Sequence, residues 1–472
     1  MQKFTGQFPA DSEAMRTALG CDSSFDLLER PLRIAERSAA LYFVDGFAKD
    51  EIMEKVLEFF YKLTPEDLAG ADSVEAFSKQ FVPYIEHSSA RDVQETVTAV
   101  LSGQLALLLD GYDQAIVIDV RQYPTRSPEE PEGDKVLRGA RDGFVETIVF
   151  NTAMLRRRLR TPELTMEIHQ VGSRSKTDVV LCFMKGQADE KLLDKIRRRL
   201  DDCDFKAMTM GQENVAECVL DRQWFNPFPR MRYTERPDAA AAAVAEGRIV
   251  LLVDNSPAAM IAPCVLFDFT QESNDFYFPP MVGTYLKLVR TIVFLATLLL
   301  TPVWFLLMKN PAWIPPWLDF IKVSEPNSVP LFAQLMIIEL VLDAIKLASL
   351  NTPTALSNSF SIVGALILGD FAVKAGWFVP EVVLYMAFVA IANYSQPSFE
   401  LGYAVKLFRM LLLILVELFG LWGFIGGVAL MFLVALFTRT VRPFGYLRPL
   451  IPFKPRAFFS MFVRRPSSKN NT

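Results

Sequence analysis

The sequence predicts an α/β region of two subdomains followed by an all-α, multi-pass transmembrane domain. Three observations carry that assignment. Up to Pro280, apolar runs of buried-strand length alternate with amphipathic helical segments. Beyond Pro280 stand uncharged stretches long enough to cross a bilayer. The charge balance reverses at the same place, with 33 Lys/Arg against 46 Asp/Glu before it and 16 against 8 after it. On this reading the chain divides into 1–134, 135–280, a membrane domain 281–438 and a basic tail 439–472.

The first region punctuates its strands alike in three places. "AALYFVDGF" closes on Asp45-Gly46, "GQLALLLDGYDQAIVIDV" turns at Asp110-Gly111, and "GRIVLLVDNSP" turns at Asp254-Asn255. These residue types tolerate left-handed turns and bond their own backbone. The second copy runs straight into another apolar stretch, Ala115–Val120, and so reads as a β-hairpin. Repetition makes the aspartates turn-formers rather than catalysts, even where Asp254 and Ser256 crowd one loop as a catalytic pair would.

Helices lie between these strands. "DEIMEKVLEFFYKL" spaces Ile52, Val56, Phe59, Phe60 and Leu63 along one face, and "DEKLLDKIRRRLDD" does the same with Leu192, Leu193, Ile196 and Leu200. In "RPDAAAAAVAEG" an alanine-rich helix stops at Gly247, and its small side chains predict close packing on a sheet. The proline- and charge-rich "PTRSPEEPEGD" (124–134) is the expected link between subdomains. The arginine run Arg156, Arg157, Arg158 and Arg160 reads as a solvated face or a contact between subunits, because the region is acidic and lacks the aromatic interleaving of a nucleic-acid surface. "NPFPRMRYTERPD" (226–238) reads either as a rigid turn or as a surface that docks on the membrane domain.

Inventory excludes much chemistry. There are two histidines, His87 and His169, too few for a multi-histidine metal centre and poorly suited to a triad. Five scattered cysteines without Cys-x-x-Cys spacing predict reduced thiols rather than a disulfide framework or zinc site. No glycine-rich phosphate loop occurs. No apolar segment opens the chain, so no cleavable secretory signal is expected.

In the second region "TIVFLATLLLTPVWFLLM" (291–308) and "LFGLWGFIGGVALMFLVALFT" (418–438) are free of charge. Between them lie 329–350, about 355–376, 378–396 and 401–417, giving four to six spans, with the half-polar 355–376 a candidate re-entrant segment. Tryptophans near segment ends suit interfacial anchors, and the tail from Arg439 holds eight Lys/Arg and no acid. With Arg230, Arg232, Arg236, Lys287 and Arg290 before the first span, both termini are expected in the cytoplasm. Glu339, Asp343, Lys346, Asp370, Lys374, Glu381, Glu400, Lys406, Arg409 and Glu417 lie in or beside these segments. One such charge facing lipid at the midplane costs on the order of 3 kcal/mol. Glu339, Asp343 and Lys346 fall on one helical stripe, and Lys406 and Glu417 stand about three turns apart with Arg409 flanking. These side chains therefore face protein or water, either as ion pairs that hold helices in register or as the lining of an ion path. The glycines of "FGLWGFIGGVAL" allow close helix packing or a hinge.

Three long blocks carry a resemblance: "RSPEEPEGDKVLRGARDGFVETIVFNTAMLRRRLR", "YTERPDAAAAAVAEGRIVLLVDNSPAAMIAPCVLFDFTQESNDFYF" and "FSIVGALILGDFAVKAGWFVPEVVLYMAFVAI". In this order they resemble the GerA family of bacterial spore germination proteins, over Leu41 to Pro452. The runs "PEVVLYMAFVAIANYSQPSFELGYA" and "TPTALSNSFSIVGALILGDFAV" resemble a branch distinct from the A subunits of nutrient germinant receptors. The resemblance implies a multi-pass protein of the bacterial cell membrane or inner spore membrane. It further implies a cytoplasmic N-terminal region, homo-oligomerisation, other germination membrane subunits as partners, and a part in ion release. No nucleic-acid partner, cofactor, metal or catalytic residue is expected, and the chain is not expected to be an enzyme.

Overall fold

The computed structural model describes residues 2–120, 139–272, 277–323, 329–350 and 372–463, apart from positions 49, 72, 85, 204, 207, 208, 443 and 444. The chain forms two compact units, the first of residues Met1–Arg222 and Met231–Cys264, the second of Gln223–Arg230 and Val265–Thr472.

The first unit contains two five-stranded sheets. One is built from β1 (Leu27–Ile34), β2 (Arg37–Val44), β3 (His87–Ala90), β4 (Leu105–Leu109) and β5 (Ala115–Ile118), in the order β1-β2-β4-β5-β3. The other is built from β6 (Leu164–Val171), β7 (Thr177–Met184), β8 (Arg232–Thr234), β9 (Ile249–Val253) and β10 (Ala259–Ala262), in the order β6-β7-β9-β10-β8. Adding five to each strand of the first order yields the second, and every ladder is antiparallel. The helices alternate with strands as the sequence predicts, yet they connect strands that are not adjacent in the sheet, while the directly joined pairs β1–β2, β4–β5, β6–β7 and β9–β10 are antiparallel neighbours.

The helices repeat as well. In the first half α1 (Phe8–Leu19) precedes β1, α2 (Asp50–Tyr61), α3 (Pro65–Leu68) and α4 (Val74–Phe81) join β2 to β3, and α5 (Val93–Leu101) precedes β4. In the second half α6 (Ile148–Arg158), α7 (Glu190–Asp201), α8 (Gln212–Val219) and α9 (Pro237–Ala245) hold the corresponding places. Along β4, Leu105, Leu107 and Leu109 pack with Val56, Phe60 and Phe77, while Ala106 and Leu108 pack with Met15, Val97 and Val100. Helices cover both faces, which is why the strand is apolar throughout instead of alternating. In the second half, Ala240, Ala241, Ala243 and Val244 of α9 lie in one core with Val180, Cys182, Val250 and Leu252, the close approach that small side chains allow.

The duplication shows what two of the three repeated aspartates do. Asp110 follows β4, and its carboxylate accepts the N–H of Phe8, the first residue of α1, at 3.1 Å. Asp254 follows β9 and accepts the N–H of Ile148, the first residue of α6, at 3.2 Å. The next residue in each turn has positive φ, Gly111 at 90° and Asn255 at 61°. Each donates to the backbone two residues ahead of the helix, Gly111 N to Gly6 O at 3.0 Å and Asn255 N to Glu146 O at 2.8 Å. Asp11 and Asn151 complete the match, each accepting an N–H, from Thr5 and Val145, at 2.8 Å. Asp254 is therefore a helix cap supplied by a neighbouring hairpin. We expect Asp254→Ala to cost about 1 kcal/mol, as other lost caps do. That corresponds to roughly fivefold to tenfold faster hydrogen exchange in the first turn of α6, with Asp110→Ala doing the same to α1.

The arginine run follows expectation only in part, with Arg157 and Arg160 exposed. Arg156 is fully buried, not solvated. Its guanidinium donates to both carboxylate oxygens of Asp26 at 2.9 and 3.0 Å, to Ser24 Oγ at 3.2 Å, and to the carbonyls of Thr161 and Leu164 at 3.0 Å. All five donors are satisfied, and the network ties the segment entering β1 to α6 and β6. Gly46, at φ 78°, lies against Val149 of α6, where a Cβ would meet Val149 Cγ1 at 2.9 Å. Cysteines also depart from expectation. Cys203 and Cys218 are joined as a disulfide, with Cα atoms 5.8 Å apart, because α8 folds back beside the end of α7. Cys21, Cys182 and Cys264 are not in disulfides, and burial pushes the Cys21 thiol up to about 11.

The second unit is helical. It contains α10 (Pro280–Lys309), α11 (Leu331–Leu350), α12 (Pro380–Tyr394), α13 (Phe399–Leu436) and α14 (Pro455–Phe462). Of the described helices, α10 and α13 are long and apolar enough to cross a membrane. Helix α13 is interrupted at Gly420, whose φ of 57° and ψ of −130° are not helical. A Cβ on Gly427 would meet Leu412 Cδ2 at 2.6 Å, and one on Gly423 would overlap the carbonyl oxygen of Leu415. Residues eight apart on a continuous helix are separated by about 12 Å, so the chain folds back at Gly420. Phe399–Leu436 is thus a hairpin with arms of about 30 and 24 Å, matching the predicted segments 401–417 and 418–438. The predicted segment 355–376 lies almost wholly outside the described residues.

Contacts fix the helix directions. The first arm of α13 runs with α10, since Thr297 meets Arg409 and Lys309 meets Glu417. Helix α11 runs against that arm, since Glu339 meets Arg409 and Asp343 meets Lys406. Helix α12 runs with α11, placing Val379 beside Gln334 and Tyr394 beside Lys346. The segment Gln223–Arg230 and the residues around Tyr446 belong to this unit, with Tyr446 donating its hydroxyl to Pro229 O at 2.8 Å.

Candidate functional site

Large apolar side chains point outward from the helices of the second unit, among them Ile292, Leu384, Ile391 and Trp422, while the charged Glu339, Lys406 and Arg409 are buried inside. That is the reverse of a water-soluble bundle and suits a hydrocarbon surround. At the centre Glu339 of α11, 1 % exposed, faces Arg409 and Lys406 of α13. Arg409 Nε and Nη2 donate to Glu339 Oε1 at 2.7 and 2.6 Å, and Nη1 donates to Thr297 O of α10 at 2.8 Å. Lys406 Nζ lies 3.3 Å from Glu339 Oε2, donates to Glu339 O at 3.2 Å, and pairs with Asp343 one turn further along α11.

Two acids thus meet two bases, and the cluster joins three helices with no net charge. Its members differ in access. Glu339, Lys406 and Arg409 are buried, whereas the Asp343 side chain is 38 % exposed. Lys346, next on the same stripe, sets its ammonium over Tyr403 at 4.3 Å, Phe399 at 5.4 Å and Tyr394 at 5.7 Å from the ring centroids. Three ring faces present their negative potential to this charge, which favours it where water is scarce.

The remaining candidates are placed apart. Glu417 does not join Lys406 and Arg409 in one seam. It pairs with Lys309 at 2.8 Å, at the end of the first arm of α13. Lys309 also donates to the carbonyl of Glu417 at 2.7 Å, satisfying backbone left open where Gly420 breaks the helix. Glu400 is exposed in the first turn of α13, and Lys374 is exposed in the single turn Ala372–Lys374. Glu381 is half-buried in the first turn of α12, and Asp370 lies outside the described residues.

Sequence reasoning misses three participants. Lys309 closes an uncharged run and so reads as the start of a loop. Thr297 contributes a main-chain oxygen, which no side-chain pattern reveals. Gln334, buried, donates to Val329 O at 2.8 Å and accepts the N–H of Val379 at 2.9 Å, pinning the start of α12 to α11. A polar side chain shortly before Glu339 on the same apolar helix is the available signal.

The sequence profile described as "Bacillus/Clostridium GerA spore germination protein" matches residues 13–472. Stage V sporulation protein AF of Bacillus subtilis (strain 168) is 35% identical over 97% of this chain and 93% of its own length. Spore germination protein KA of the same organism is 27% identical over 94% and 82%, and GerLA of Bacillus cereus is 27% identical over 96% and 92%. The crystal structure of the N-terminal domain of the A subunit of the Bacillus megaterium spore germinant receptor GerK3 aligns with 25% identity and a TM-score of 0.44, over 56% of this chain and 97% of that one.

Proposed function

This chain belongs to the GerA family of spore germination proteins, and from that premise we propose that it is a membrane subunit of a germination complex whose copies assemble into an ion-conducting channel. The observation that carries the reading is the neutral cluster of Glu339, Asp343, Lys406 and Arg409 buried among helices whose outer surfaces are apolar. Asp343 and Lys346 form its accessible margin. In an assembly, these margins from several copies meet at a common axis, where each charge finds water or a partner instead of lipid. Glu339 and Arg409 then act as the pin that sets the helix bearing Asp343. Both termini lie in the cytoplasm, a reading supported by the basic tail and by the second arm of α13 running against α10.

Ion release from germinating spores tests this. Asp343→Asn keeps the shape of the side chain and removes its charge, and we expect several-fold slower potassium release at normal protein level. Unchanged release removes the conducting role. The second reading, supported by the similarity to spore germination protein KA and GerLA, is a receptor subunit that relays a nutrient signal without conducting. Deletion separates the two readings. A receptor subunit is required for one class of nutrient, whereas a channel speeds germination by every trigger.

A further inference from the structure

The segment Gln223–Arg230 carries Trp224 and Phe225, the two most exposed aromatic residues described in the chain at 88 % and 87 %, packed edge to face with centroids 4.6 Å apart. The loop beneath them is rigidly held. Gln223 Nε2 donates to Phe437 O at 3.3 Å, while Gln223 Oε1 accepts from the backbone N–H of Arg439 and from Asn226 Nδ2, both at 3.1 Å. Asn226 Nδ2 also donates to Thr438 Oγ1 at 2.8 Å. Phe228, buried, stacks on Phe408 at 5.1 Å. The exposed rings are therefore a fixed projection at the end of the second arm of α13, where Phe437 (62 % exposed) continues the apolar surface and Arg439 is exposed beside it.

We propose that Trp224 and Phe225 form a bilayer-interface anchor, with their rings at the depth of the glycerol and headgroup region of an anionic membrane. Three features commit the patch to lipid. It is continuous with the outward apolar face of the second arm of α13, about 24 Å long. Its composition, aromatic rings beside arginine, is that of interfacial belts, in which amphipathic rings sit at headgroup level. The eight Lys/Arg of the acid-free tail that begins at Arg439 complement anionic headgroups. The anchor would hold the loop that interrupts the first unit at a fixed depth. This rests on the membrane-spanning reading, so the experiment separates the two.

The test uses the full-length chain with Cys21→Ser, reconstituted in vesicles of phosphatidylglycerol and phosphatidylethanolamine. An NBD fluorophore is attached at Phe225→Cys or, as an internal reference, at Leu295→Cys in the middle of α10. Vesicles carry a nitroxide quencher at carbon 5 or carbon 12 of the acyl chain. We expect the label at 225 to be quenched at least twofold more by the shallow nitroxide, and the label at 295 more by the deep one. Quenching at 295 without quenching at 225 overturns the anchor and leaves the membrane reading standing. Absence of quenching at both positions overturns the membrane reading and the anchor with it. Emission at 225 that depends on protein density and not on nitroxide assigns the patch to a second copy and also overturns the proposal.

Discussion

Glu339→Ala should destabilise the second unit by about 3–5 kcal/mol, the cost of breaking a buried pair by removing one partner. The substitution leaves Arg409 and Lys406 buried, with Asp343, one turn away, as the remaining carboxylate of the cluster. Thermal unfolding in detergent and the steady-state protein level in membranes both read this loss. The informative companion replaces Glu339, Lys406 and Arg409 together by methionine and Asp343 by leucine. Well-packed apolar residues in place of a buried ionic cluster are often neutral or stabilising, so this variant should recover most of the lost stability. It then separates pin from path. A channel lined by the cluster's margin is stable and silent in this form, whereas normal ion release from it reduces the charges to structural pairing.

Gly423→Ala should be more damaging still, because it places a methyl group on main chain that cannot move aside. A Cβ at Gly423 overlaps the carbonyl oxygen of Leu415, and one at Gly427 meets Leu412 Cδ2 at 2.6 Å. Overpacking ordinarily costs about 1–3 kcal/mol through shifted side chains, and here the arms of the hairpin must separate. The control lies in the same sequence. A methyl group on Gly426 would meet nothing within 4 Å, so Gly426→Ala should be neutral or stabilise by up to about 1 kcal/mol through helix propensity. Thermal unfolding in detergent reads both substitutions, with Gly423→Ala expected to melt well below the parent and Gly426→Ala at or above it.

Much of the fold is legible in the sequence because local chemistry and tertiary structure agree. The Asp-Gly and Asp-Asn turns, the amphipathic helices and the sheet-packed alanine helix each state their role within a dozen residues. What sequence reasoning does not supply is the identity of neighbours. The two halves of the first unit share capping geometry through different residues, Asp11 against Asn151 and Gly111 against Asn255, so the repeat is visible in space and faint in letters. Arg156 sits in a run of arginines that reads as surface, and only the approach of Asp26 and Ser24 from about 130 residues away makes it core. Helical spacing puts Glu417 on a face with Lys406, but spacing along one helix does not say which helix lies opposite, and the two side chains meet different partners. Gly420 reads equally as a hinge or a packing site, and its positive φ makes it the former while Gly423 and Gly427 are the latter.

The chain enters and leaves the second unit more than once. It crosses at Arg222–Gln223, returns at Arg230–Met231, and crosses finally at Cys264–Val265. Three covalent crossings make the units inseparable by a single cut, so protease nicking at any one of these peptides should leave the pieces migrating together until denatured. A soluble fragment ending at Cys264 would carry Trp224, Phe225 and Phe228 as an orphaned greasy tongue, and such fragments should aggregate unless residues 223–230 are replaced by a short polar bridge.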